Sequence, residues 1–141
     1  MLKILIIDGQ GGKIGKSIIA GIKSANIPAR ITAVGTNSLS SSAMLKAGAD
    51  EAATGENSVI VCSKNCDVII GPIGIVIANS LLGEITPAMA TAIGSSSAKK
   101  ILIPINQCNN FIVGVKDLSI SVLIAEVIEE LKKCNIKSLQ E

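Results

Sequence analysis

The sequence contains no histidine, no tryptophan and no tyrosine, and phenylalanine occurs once, at Phe111. The missing histidine removes the commonest general base and the commonest zinc ligand. The missing Trp and Tyr remove the stacking platforms used by proteins that bind single-stranded nucleic acid. Charge is scarce as well. Charged residues make up 17% of the chain and the net charge is +2, too little to draw it to nucleic acid or an anionic membrane. The longest uncharged run, 68–83, is broken by Gly71, Pro72, Gly74, Asn79 and Ser80. It is short for a membrane span and reads as a buried strand, a turn and a helix. No basic leader precedes the first apolar run, so a cytoplasmic location is expected.

What is present is aliphatic. Hydrophobic residues are 48% of the 141 positions, enough for one domain over 1–141 with a core of Ile, Val, Leu and Ala. Such a core fits a parallel α/β sheet better than an aromatic-rich sandwich. High apolar content with little charge also implies that another subunit covers part of the surface, most simply in a symmetric homodimer. The four cysteines are Cys62, Cys66, Cys108 and Cys134. They are expected as thiols in a reducing compartment. Without histidine or a second close pair they make a poor zinc set, so no metal is expected and small packed thiols are the favoured reading.

Apolar runs alternate with helical patterns. The spacing predicts strands at 2–7, 29–34, 49–53, 66–71, 99–105 and 111–115. It predicts helices at 12–24, through 43–48, and at 58–65, 75–82, 87–93 and 118–134, with 136–141 a frayed tail. Thr86 is placed to cap the helix that Pro87 opens. Strand followed by helix, repeated, predicts a doubly wound, mostly parallel sheet: a Rossmann-like, three-layer α/β/α fold with right-handed crossovers.

The first strand runs into Asp8-Gly9-Gln10-Gly11-Gly12-Lys13-Ile14-Gly15-Lys16. A glycine-rich turn between a buried strand and a helix lets backbone approach a phosphate. The pattern G-x-G-x-x-G, started at Gly9 and Gly11, fails at Ile14, whereas Gly9, Gly12 and Gly15 satisfy G-x-x-G-x-x-G. That register resembles the turn of extended and atypical short-chain dehydrogenase-like proteins, which hold NAD or NADP. The resemblance implies Gly9 for the tight turn, Gly12 for backbone approach to a pyrophosphate and Gly15 for helix packing. Lys13 and Lys16 would add charge nearby. Asp8, Gly9, Gln10, Gly11, Gly12, Lys13, Ile14 and Gly15 are therefore candidate cofactor-binding residues.

At the end of the second strand an NAD site usually carries a carboxylate for the ribose. This chain has Gly35, Thr36, Asn37 and Ser38 there. The donors of Thr36 and Asn37 suit a 2′-phosphate, which slightly favours NADP; they serve equally to cap the next helix. The Tyr-x-x-x-Lys pair of short-chain dehydrogenases is missing, so catalytic residues stay unassigned. Acid–base chemistry would fall to Asp8, Asp50, Glu56, Glu84, a lysine or Cys108. Asp8 and Glu84 are placed nearest the expected crevice. Asp8 serves equally as an acceptor for the turn's own amides, and Glu84 as an ordinary surface charge. Cys108 without a histidine is a poor nucleophile. Three further segments are expected at the carboxyl face of the sheet: Gly71-Pro72-Ile73-Gly74, Gly94-Ser95-Ser96-Ser97 and Pro104-Ile105-Asn106. Gly71, Pro72 and Ile73 join the candidate set, and Asn79 is expected on the following helix within reach of a ligand.

Several segments taken together are familiar: 7–12, 35–37, 53–57, 71–75, Gly83-Glu84-Ile85-Thr86-Pro87-Ala88-Met89-Ala90 and Ile103-Pro104-Ile105-Asn106. They resemble a family of small Rossmann-like proteins from clostridia and related bacteria, catalogued as a domain of unknown function. The resemblance spans nearly the whole chain. It implies the fold and a cytoplasmic protein and brings no activity with it. Two functional readings remain. One is a sensor or accessory module that binds a nucleotide such as NAD(P), or another phosphate-bearing small molecule, similar in logic to the nucleotide-sensing Rossmann domains of potassium-uptake regulators. The other is a small NAD(P)-dependent oxidoreductase acting with a partner. The missing Tyr and His favour the first.

Overall fold

The computed structural model describes residues 1–105 and 109–141. Among these, five strands form one sheet: β1 (Leu2–Asp8), β2 (Ala29–Gly35), β3 (Glu51–Thr54), β4 (Val68–Pro72) and β5 (Lys99–Ile103). Their order is β3-β2-β1-β4-β5 and every pairing is parallel. Parallel neighbours need crossovers. The helices α1 (Lys13–Ser24), α2 (Ser38–Lys46), α3 (Glu56–Cys62) and α4 (Pro87–Ser95) supply them, and α5 (Ile120–Gln140) closes the chain.

β1 lies at the centre, and its side chains alternate between two cores. Ile4 and Ile6 pack with Ile18, Ile19 and Ile22 of α1, Met44 of α2 and Leu131 of α5. Leu5 and Ile7 face the other way, toward Val59 of α3 and Met89 and Ile93 of α4. The result is a doubly wound, three-layer Rossmann-like fold with α1, α2 and α5 on one face and α3 and α4 on the other. Burial on both faces explains why β1 reads as an unbroken apolar run. Each Ile so buried contributes about 2 kcal/mol relative to exposure. The chain builds outward from β1 to β2 and β3, then crosses back to lay down β4 and β5. The carboxyl ends of β1 and β4 thus flank the point where the winding reverses, the usual ligand crevice of such sheets.

Four expectations fail. No helix forms over 75–82. A 3-10 turn, Ile73–Val76, is followed by a loop held by Asn79 N–H to Ile85 O (2.7 Å) and Ile85 N–H to Ser80 O (3.2 Å). Asn79, Leu81 and Leu82 have φ of 65°, 55° and 56°, left-handed values that a right-handed helix excludes. Ile75 and Leu81 are nonetheless buried, and the apolar run over 75–82 mimics a helix. Asn79 is therefore a turn residue. Secondly, 111–115 is not a strand; Phe111 and Val113 are 88% and 87% exposed. Thirdly, 136–140 continues α5 rather than fraying. Fourthly, Gly94–Ser97 leads into β5 and so lies at the amino end of the sheet, where Ser96 Oγ donates to Ser63 O (2.7 Å). The turn expected over 107–110, with Asn106 and Cys108, falls largely outside the described residues. Among those described, no helix is long and apolar enough to cross a membrane.

Candidate functional site

β1 ends at Asp8 and α1 begins at Lys13. Between them Gly12 N–H donates to Gly9 O at 2.9 Å and closes a tight turn. Gly12 has φ +74°, a conformation that favours glycine. A Cβ there would stand 2.9 Å from Ser40 Cα, so Gly12 is also the point where α2 abuts the turn. A Cβ on Gly15 would overlap the Met44 side chain, and one on Gly9 would lie 2.8 Å from Thr36 Oγ1. Gly11 differs from all three: nothing lies within 4 Å of its Cβ position, which opens outward.

Asp8 is buried beneath the turn. Its Oδ1 accepts from Gly9 N–H and its Oδ2 from Gly15 N–H, both at 2.8 Å. Burial pushes the Asp8 carboxyl above its ordinary value. The amides of Gly15, Gly9 and Ile14 oppose that shift, and the nearby Glu84 charge adds to it. The carboxylate thus answers orphan N–H groups at the start of α1. The amides of Gly11 and Lys13 find no protein acceptor among the described residues.

Glu84 arrives from the loop after β4. Its Oε1 accepts from Asn37 Nδ2 (2.7 Å), Thr36 Oγ1 (2.8 Å) and Gln10 N–H (3.1 Å). Its Oε2 shares the Gln10 N–H at 3.2 Å. Asn37 Nδ2 also donates to Gln10 O (3.0 Å), while Asn37 Oδ1 caps α2 through Ser40 N–H (2.9 Å). Both backbone groups of Gln10 are therefore held, and this residue sits at φ 50°. Desolvation would raise the Glu84 carboxyl, but the hydrogen bonds from Thr36, Asn37 and Gln10 outweigh it and hold the group below its usual range. The sequence places Glu84 near the crevice but does not reveal this role. Its partners lie 47 to 74 residues away, and no local pattern encodes such a contact.

The outward side of the turn forms one wall of a groove of about 730 Å³, lined by Asp8 to Ile14. Pro104 and Ile105 after β5, with Asp117 and Ile120 at the start of α5, form the opposite wall. The volume is that of a small-molecule site. Thr36 and Asn37 do not line the groove, and their donors lie on Glu84. Gly71, Pro72 and Ile73 do not line the groove. Gly71 and Pro72 are buried in β4, and a Cβ on Gly71 would collide with Ile7 O. Gly71 is thus a close-approach residue between β4 and β1. Cavities of about 540 Å³ along α5 and 750 Å³ between α3 and α4 are not lined by the turn. Among the described residues no group of His, Cys, Asp or Glu is arranged to hold a metal ion.

A family model described as a domain of unknown function (DUF3842) matches residues 3–136. The chain belongs to this family. No curated protein and no solved structure matches it. The span matched to DUF3842 takes in the glycine turn, Glu84 and both walls of the groove.

Proposed function

We propose that this DUF3842 protein is a cytoplasmic nucleotide-binding module, a homodimeric sensor or accessory protein whose glycine turn holds the phosphates of NAD(P) or a related nucleotide. The observation that carries the reading is the pair of unanswered amides of Gly11 and Lys13, residues that line a groove of about 730 Å³ at the reversal point of a parallel sheet. Amides at a helix N-terminus favour an anion, and Lys13 lines the same wall. Pro104, Ile105 and Ile120 offer apolar surface for a base. A sensor fits better than an oxidoreductase because both Asp8 oxygens and Glu84 Oε1 are committed to turn and neighbour donors. The nearly full exposure of Phe111 and Val113 supports a covering subunit.

The test uses Gly11, because a side chain at Gly12 would strike Ser40 and disturb the fold. A nucleotide at a hundredfold its Kd stabilises by about 2.7 kcal/mol, roughly 5–10 °C in Tm for a domain of this size. Gly11→Val should abolish that shift while the circular dichroism spectrum stays native. Sedimentation with and without nucleotide reports the subunit contact. Failure of NAD, NADP and ADP-ribose to raise Tm, with no phosphate compound co-purifying, rejects the proposal.

A further inference from the structure

An NAD site normally takes the adenosine ribose on a carboxylate at the end of the second strand, and β2 ends without one. The structure brings a carboxylate to that place from elsewhere. Glu84 reaches across the sheet edge and sits on Thr36 and Asn37, the first residues after β2. It also binds the backbone of Gln10, which lines the groove. Carboxylate and groove are therefore contiguous through Gln10.

The two oxygens of Glu84 are not equivalent. Oε1 accepts from three donors, whereas Oε2 only shares the Gln10 N–H. Oε2 keeps lone pairs for a further donor. A ribose hydroxyl is such a donor; a fully ionised 2′-phosphate is not. The phosphate would also meet a like charge, and the Thr36 and Asn37 donors that suit it are already taken. Glu84 cannot readily withdraw. Leu81 and Ile85 on either side are buried, and the left-handed Gln10 backbone depends on the carboxylate and on Asn37. The basic residue in the groove lining is Lys13, at the start of α1, and it is not among the residues bonded to Glu84.

We infer that Glu84 is the ribose-recognising and specificity-determining residue of the site, selecting a nucleotide with a free 2′-hydroxyl against its 2′-phosphorylated form. The inference rests on the nucleotide reading above and deepens it. It reverses the slight preference for NADP drawn from Thr36 and Asn37 alone.

Calorimetric titration of the wild-type protein with NAD, NADP and the 2′-deoxyadenosine analogue of NAD tests it without any variant. NAD should bind about tenfold or more tightly than either of the others, the usual effect of a hydrogen bond to a charged group. Glu84→Gln, checked for native circular dichroism, should bring NAD and NADP to within about threefold of each other by removing the charge while keeping a polar group. NADP binding as tightly as NAD to the wild type overturns the inference and leaves the nucleotide reading standing. So does an undiminished preference in Glu84→Gln. A gain in affinity for both ligands in that variant also overturns it, because Glu84 would then be a plug. Binding of none of the three by the wild type rejects the nucleotide reading and this inference together.

Discussion

Ser40 and Ser41 are neighbours on α2, both buried, with opposite bonding. The Ser40 hydroxyl has no partner among the described residues and lies against the rear of the turn at Gly12. The Ser41 hydroxyl lies 2.6 Å from Thr54 Oγ1, 2.9 Å from Ala53 O and 3.1 Å from Asn37 O, and so ties α2 to the end of β3. Leaving a buried hydroxyl unsatisfied costs about 1–3 kcal/mol, whereas a made hydrogen bond contributes about 1 kcal/mol net. Ser40→Ala should therefore raise unfolding stability by about 1 kcal/mol and Ser41→Ala should lower it by a similar amount. Urea denaturation measures both; a loss in Ser40→Ala would show that the hydroxyl has a partner. The cysteines can be read at the same scale. Burial, with the Asp67 charge beside it, pushes the Cys66 thiol up to about 11, and burial raises Cys62 as well. Both stay protonated at neutral pH, which excludes them as ready nucleophiles.

At the scale of elements, the β1–α1 turn is set by two carboxylates that titrate in opposite directions. The Asp8 carboxyl is raised above 3.8 in the folded protein, with burial as the leading cause. Its contribution to stability is thus greatest at low pH and declines as pH rises through the raised folded value. Glu84 is lowered from 4.5, its hydrogen bonds outweighing burial. Its contribution is present above 4.5 and is lost as pH falls through the lowered folded value. Carboxyl carbon NMR across the acid range should find Asp8 ionising above the ordinary aspartate value and Glu84 below the ordinary glutamate value. The stability gap between wild type and Glu84→Gln should close as the solution is acidified. A shift in the opposite sense at either group would contradict the bonding described for it.

Much of the element pattern was legible because it is local. β1 has a period-two division between two cores, and α1 repeats Ile14, Ile18 and Ile22 on one face. Thr86 and Pro87 open α4 as their capping chemistry requires. Gly9, Gly12 and Gly15 marked the turn, and the neighbours that a Cβ at these positions would crowd are Thr36, Ser40 and Met44. The stretch 75–82 has the apolar density of a helix, with Ile75 and Leu81 buried, but not its dihedrals. Phe111 to Val115 has the side chains of a strand and lies exposed. The placement of Glu84 near the crevice was legible but its bonding was not, since three separate segments must be folded before its oxygens have donors.

For the whole molecule, the sheet order divides the chain into two wings, β1 to β3 and β4 to β5, with the groove near their junction. Much of the cohesion between wings comes from β1 pairing with β4 over Ile4 to Ile6 and from the two cores that share β1. Glu84 adds a polar tie at the carboxyl edge, from the second wing to both turns of the first. The Gln10 amide hydrogen has its acceptor 74 residues along the chain. That proton is sheltered only while the second wing is docked. Native-state hydrogen exchange at this one position therefore gauges docking apart from the stability of β1. In Glu84→Ala the Gln10 amide should exchange as fast as an unstructured one, while Ile6 stays protected. A single exchangeable proton thus clocks the opening and closing of one half of the molecule on the other.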